Sequence, residues 1–249
     1  MVQGEVISLV GAGGKTTLMY ALAKELAHKG GLAITTTTTK ILPPSKEESE
    51  ALLLDQEEAL LEKAAHNRDH YQVITMAHRS LDSGKLEGIS PRLVDRLASV
   101  DGLAGVIVEA DGSARRSLKA PNATEPIIPD STNLVIAVAG METLGCPLDD
   151  AHVFRAAIAA ELLGLPLGTR VGAEEIARLI THPRGIAKGT PPGARIVPFL
   201  NQVDLTGDLR EARATARAIL AAGNPQMQRV VVGEARKGML LVMEMTSQA

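Results

Sequence analysis

The sequence reads as an α/β chain built on a mostly parallel sheet. Short Val- and Ile-rich runs alternate with longer segments of helical periodicity, the rhythm of strands covered by helices. Several runs, such as Gly105-Val106-Ile107-Val108 and Leu134 to Val138, are apolar without alternation, which suits strands buried on both faces. The first run also passes directly into a glycine-rich turn, a lysine and a helix.

In chain order, strands are predicted at 5–10, 31–35, 72–76, 105–110, 134–139, 195–200 and 229–233. The first helix, 15–29, carries Leu18, Leu22 and Leu26 at four-residue spacing and stops at Gly30-Gly31. A second is predicted over 46–66, rich in Glu, Leu and Ala and entered through Pro43-Pro44. A helical pair at 149–163 and 172–181 is closed by Gly164 and Pro183, and a last helix at 207–222 ends at Gly223-Asn224-Pro225. Residues 111–133 and 182–194 are proline- and glycine-containing loops without linker composition, and loops this long in a compact domain are usually functional or disordered. The pattern has no internal repeat. It describes a single domain over 1–249, within which 141–190 has the content of a small helical subdomain.

Composition excludes several classes. The chain has 249 residues, two Tyr, two Phe and no Trp, so its core is aliphatic and it lacks the stacking platforms of single-stranded nucleic-acid binders. A formal charge of −3 removes the basic footprint of a phosphate-backbone binder, so no nucleic-acid partner is expected. The lone Cys146 rules out a disulfide framework and a multi-cysteine metal cage, and the six histidines show no ligand spacing. No apolar run approaches the roughly twenty residues that span a bilayer. Met1 to Glu5 carry no basic run. The expectation is a soluble cytoplasmic protein.

The chemistry starts at Gly11-Ala12-Gly13-Gly14-Lys15-Thr16-Thr17. Glycines let backbone N–H groups turn inward, and a helix N-terminus adds its positive end. In such loops the lysine (here Lys15) reaches the β- and γ-phosphates and the following hydroxyl (Thr16) coordinates Mg²⁺. The spacing is shorter than G-x-x-x-x-G-K-[ST], because Leu9 stands where its first glycine belongs. It resembles the G-T-x-G-K-T loop of Mur-type amide ligases. The expected architecture is therefore a P-loop NTPase-like three-layer sandwich that binds Mg²⁺ with ATP or GTP.

Further candidates lie at other strand ends. Val108-Glu109-Ala110-Asp111-Gly112 ends a buried strand in carboxylates, which suits Mg²⁺ or a polarised water. A strand persisting to Asp111 places Glu109 and Asp111 on one face, with Cα atoms roughly 6.5 Å apart. Thr35 to Thr39 and Lys40 leave the carboxyl end of a strand, where open α/β sheets place ligands, so Thr37 is a candidate metal ligand. Asn201-Gln202-Val203-Asp204 is similar to the N-K-x-D signature of GTPases, with Gln202 in place of the lysine. Asn201 and Asp204 are candidate base contacts, although Asp204 equally suits a helix cap, and GTP against ATP stays open. In the loop Asp111 to Pro126, Lys119 is the favoured cation for developing phosphoryl charge.

Taken together, the chain resembles the YqeC family of selenium-dependent hydroxylase accessory proteins. The resemblance rests on Val10 to Thr17, Thr35 to Lys40 with Pro43-Pro44, and Val108 to Ser113. It continues through Leu118 to Pro121 with Glu125-Pro126, Ala139-Gly140 through Gly145 to Leu148, and His182 to Asp204. It departs at Gln202 and at the additional arginine in Ala114-Arg115-Arg116-Ser117. The resemblance implies a role in molybdenum-hydroxylase maturation, with that enzyme or its maturation factors as partners. P-loop NTPases of this kind often work as dimers, which makes a homodimer an expectation. Three activities stay open: triphosphate hydrolysis, phosphoryl transfer to a small molecule (kinase or Mur-like ligase), and non-catalytic nucleotide sensing.

Overall fold

The computed structural model describes residues 4–206, 209–237 and 239–244. β1 (Glu5–Gly11) leads through the glycine turn into α1 (Lys15–Ala27) and then β2 (Leu32–Thr37). Next come β3 (Lys40–Ile41), β4 (Ala51–Leu54), α2 (Glu57–Asn67), β5 (Val73–Ala77), β6 (Arg79–Ser80), β7 (Leu86–Glu87) and α3 (Pro91–Leu97). β8 (Leu103–Glu109) is followed by β9 (Leu118–Lys119), β10 (Leu134–Gly140), a 3-10 turn at Met141–Thr143 and β11 (Val153–Phe154). The chain continues with α4 (Ala156–Leu163), α5 (Ala173–Thr181), β12 (Arg195–Asn201) and α6 (Val203–Thr206). It closes with α7 (Leu209–Ala221), β13 (Arg229–Glu234) and β14 (Met239–Glu244).

Nine strands form one sheet in the order β14-β13-β12-β10-β1-β8-β2-β5-β4. Every pairing is parallel except β13 with β14. β1 is central, with Ile7 opposite Leu134 on one side and Ile107 on the other. Strand alternation then makes three layers. Ile7, Leu9, Ile107, Ile136 and Val138 pack with Leu18, Met19 and Ala23 of α1. On the opposite face, Val6, Ile34, Val106 and Val108 meet Leu60 of α2 and Leu93 of α3. Val10, Val135, Ala137 and Ala139, on that same face, meet α4, α5 and α7. The mostly parallel, P-loop NTPase-like sandwich is thus the architecture. Residues 141–190 contribute α4 and α5 to a core shared with β10 and β12.

Some local expectations are corrected. The predicted helix 46–66 begins only at Glu57, because Ala51–Leu54 pairs with β5 as an edge strand. The Glu50 carboxylate accepts from the Gln72 and Val73 backbone N–H groups, so tertiary pairing overrides helix propensity there. The predicted helix 149–163 starts at Ala156. Asp149 Oδ1 accepts from the N–H groups of Ala151 and His152, a turn that competes with a helix, and Arg155 is left-handed at φ 63°. α3 and β14 extend the prediction. Ser90-Pro91 supplied a start signal for α3, the Ser90 hydroxyl accepting from Leu93 N–H with proline in the first turn. The last long helix is α7, and residues 207–208, where its start was expected, lie outside the described residues, as do Met1 to Gln3. Among the described residues no helix is long and apolar enough to cross a membrane.

Candidate functional site

The glycine turn joins the central strand to α1, and its backbone is dictated by close approach. Gly13 has φ 89°, and a Cβ there would lie 2.5 Å from the Gly140 nitrogen at the end of β10. Gly14, the N-cap of α1, has φ 108° and offers no side-chain cap, so the first N–H groups of the helix depend on another acceptor.

Lys15, 3% exposed, folds back over the turn. Its Nζ donates to Gly11 O at 2.6 Å and lies 3.2 Å from Asp111 Oδ1 and 3.7 Å from Glu109 Oε1. Burial pushes the ammonium down, but Asp111 and then Glu109 outweigh it and hold Lys15 above the ordinary lysine value.

The carboxylates come from the end of β8 and the residues after it. Thr16 Oγ1 donates to Glu109 Oε2 at 2.7 Å. Burial lifts the Glu109 carboxyl above its ordinary range, against the opposing pull of Lys15 and the Thr16 hydrogen bond. Asp111, fully buried, accepts from Gly11 N–H at 3.0 Å, and the same Oδ2 lies 2.9 Å from Lys119 Nζ. One aspartate therefore sits between two buried lysines. Lys119 Nζ also donates to Gly112 O at 2.5 Å and lies 3.3 Å from Glu125 Oε2, which Arg155 reaches at 2.7 Å. Burial alone raises the Glu125 carboxyl, but Arg155 and Lys119 reverse this and hold it below the usual carboxylate value.

Three cavities run along the carboxyl ends of the strands. The central one, about 290 Å³, is floored by Gly13 to Thr17 and Glu109 and rimmed by Lys40, Lys85 and Arg115. A second, about 430 Å³, shares Gly14, Thr17 and Gln202 with it and reaches Asn201, Asp204 and Lys237. A third, about 690 Å³, shares Lys40, Lys85, Gly112 and Ala114 with the central one and extends to Phe154 and Arg155.

The expected residues fall into distinct places. Gly13, Gly14, Lys15, Thr16, Thr17 and Glu109 line the central cavity. Gly11, Ala12, Asp111 and Lys119 lie buried behind it, and Thr37 is buried too. The Thr37 hydroxyl donates to Glu109 O at 2.7 Å and accepts from Thr39 N–H at 3.0 Å. Asn201 donates through Nδ2 to Gly13 O at 2.7 Å and accepts from Ala235 N–H at 3.0 Å, tying the turn to the end of β13. Asp204 lines the second cavity, 3.6 Å from Lys237. The sequence reading passed over Lys85, Phe154 and Arg155. The first sits on the tight turn between β6 and β7, and the other two reach the site through the β9–β11 pairing, so no local motif marked them.

Among the described residues no group of three or more His, Cys, Asp or Glu side chains is arranged to hold a metal ion. The oxygen pair Thr16 and Glu109 suits an ion that arrives with most of its ligands, as Mg²⁺ does on a nucleoside triphosphate.

A sheet, turn and helix arranged in this way define a P-loop NTPase-like α/β protein. Residues 7–157 match the family model described as YqeC protein. The YqeC protein of Escherichia coli (strain K12), itself uncharacterised, is 35% identical over 199 residues, covering 79% of this chain and 75% of its own length. The chain belongs to the YqeC family.

Proposed function

We propose that this protein binds a Mg²⁺-nucleoside triphosphate and hydrolyses it, as an accessory factor in maturing a selenium-dependent molybdenum hydroxylase. The observation that carries the nucleotide reading is the convergence of Lys15, Thr16 and Glu109 on one cavity at the N-terminus of α1. That cavity supplies backbone N–H groups, a helix dipole and a cation for phosphate, with two oxygens beside them for a divalent ion. The second cavity has room for a base beside Asn201 and Asp204. The maturation role rests on family kinship alone.

In this reading Lys15 exchanges its Gly11 carbonyl for a phosphate oxygen. Thr16 and Glu109 would hold the ion, which would supply charge neutralisation on the phosphates. Glu109 has a second oxygen, Oε1, that does not face Thr16 and is available to accept a proton from an attacking water or hydroxyl. Asp111 and Lys119 act as positioning residues, fixing Lys15 and the end of β1. A second reading, phosphoryl transfer, is favoured by the third cavity. There an acceptor oxygen would form the bond to the γ-phosphorus while the bond to the β-bridging oxygen breaks, its electron pair leaving with the diphosphate.

The test incubates the purified protein with Mg²⁺ and each nucleotide in turn. Mass spectrometry then identifies which nucleotide stays bound and what it becomes. Retained triphosphate with steady phosphate release supports hydrolysis, retained but intact triphosphate points to sensing, and no retained nucleotide at all removes the reading.

A further inference from the structure

The third cavity has a composition of its own. At about 690 Å³ it is of the size that encloses a small molecule. Its two carboxylates are already neutralised: Glu87 pairs with Arg79 at 2.5 Å, and Glu125 lies between Arg155 and Lys119. Lys40 and Lys85, on the edge it shares with the phosphate cavity, form no ion pair within 4.0 Å among the described residues. The cavity is therefore electropositive where it meets the phosphate site, and an oxyanion placed there would meet the ammonium groups of Lys40, which also faces Glu87 across β3 and β7, and Lys85.

Part of its lining is apolar. Phe154, Ile89 and Ile127 contribute that apolar surface. Arg155 stacks its guanidinium 4.4 Å from the ring centroid, and Lys119 lies 5.7 Å from it. In a chain with four aromatic rings, one is set in the wall of this cavity, braced by a buried lysine and a left-handed arginine. The ring is held in register by the β9–β11 bridge, Phe154 opposite Lys119, the lysine that also grips Asp111. The wall and the phosphate turn are therefore parts of one framework.

We infer that this cavity binds a second ligand next to the nucleotide: a small organic anion, carboxylate or phosphate monoester, whose flat apolar body lies on Phe154 and whose oxyanion meets Lys40 and Lys85. The assignment deepens the nucleotide reading but has a test of its own. Benzoate and phenyl phosphate serve as probes, observed by saturation-transfer NMR with the full-length protein, with and without Mg²⁺ and a non-hydrolysable ATP analogue. Wild-type protein is expected to give a signal that persists when the analogue fills the phosphate cavity. Phe154→Leu, which alters the third cavity, and Arg155→Gln, which also removes the ion pair with Glu125, should each weaken probe binding by about two- to tenfold, the range for loss of one ring contact. The affinity of Phe154→Leu for a fluorescent nucleotide should stay at the wild-type level. The stronger of the two probes names the oxyanion class. Absence of signal from both probes with wild-type protein, or equal signals from wild type and both folded variants, overturns the inference. If the fluorescent nucleotide fails to bind wild type while the probe signal still depends on Phe154, the nucleotide reading falls and this cavity stands.

Discussion

The Thr16 hydroxyl donates to the Glu109 carboxylate across 2.7 Å, joining the first turn of α1 to the end of β8. Two oxygens that would share a divalent ion are thus already together, bridged by a proton. Replacing that proton by Mg²⁺ needs a small separation of the two, with phosphate oxygens and water completing an octahedron at about 2.0–2.1 Å.

Thr16→Val keeps the shape and removes the oxygen. Nucleotide affinity in the absence of Mg²⁺ should hardly change, while the tightening produced by added Mg²⁺ should largely vanish. Titrating a fluorescent nucleotide with and without the ion measures both. An undiminished Mg²⁺ effect would remove Thr16 from the metal site.

Lys15→Ala removes the one lysine on the turn itself. Charge-assisted hydrogen bonds contribute about 1.5–3 kcal/mol each, so affinity should fall about 10- to 100-fold. Undiminished binding in the folded variant would sink the phosphate-turn reading.

Glu109→Gln separates binding from chemistry. The amide oxygen still accepts from Thr16, so nucleotide affinity in the absence of Mg²⁺ should stay within a few-fold of wild type. Loss of a positioned base costs about 10²–10⁴ in turnover, whether water or a small acceptor is the nucleophile. Phosphate release and diphosphate formation are the measurements, and unchanged turnover would move the base elsewhere.

The part of this site carried by contiguous residues was legible in the sequence. Gly11 to Thr17 announce themselves because strand, turn and helix follow without interruption, and Glu109 and Asp111 because an apolar strand run leads straight into two acids, although the strand itself stops at Glu109. The third cavity was not legible. Phe154 and Arg155 reach it only because Val153–Phe154 pairs with Leu118–Lys119, and Lys85 only because β6 and β7 make a turn too short to show periodicity. Ala51–Leu54 failed for a related reason. Its helical composition is local, whereas its partners on β5 are 23 residues away in sequence. Physical adjacency made by topology leaves no trace in spacing.

Glu125 gives a pH prediction. Arg155 and Lys119 hold its folded-state value below the ordinary 4.5, against the upward push of burial. A depressed carboxyl contributes stability that is present above the unfolded-state value and is lost as pH falls through the folded one. Glu125→Gln cannot titrate. The stability gap between wild type and this variant should therefore be widest near neutral pH and narrow as pH drops below about 4.5. Thermal unfolding of both proteins over that range tests it, and a gap independent of pH would mean the ion pairs contribute nothing.

Asp111 between Lys15 and Lys119 makes the strongest stability prediction. All three are almost wholly buried, so their charges balance one another rather than water. Lys119→Met removes one cation, yet Asp111 keeps Lys15 and the Gly11 N–H, and Glu125 keeps Arg155. The loss should thus fall at the lower end of the roughly 3–5 kcal/mol expected for unpairing a buried ion. Asp111→Asn leaves two buried ammonium groups facing an amide and should cost at least as much. In the double variant the costs should not add. Each single change already forfeits the shared contact, so a coupling of about 1–3 kcal/mol should appear in the cycle. Denaturant unfolding of the four proteins measures it. Additive losses would mean that Lys119 is held by Gly112 and Glu125 alone, and that Asp111 orients Lys15 without help from behind.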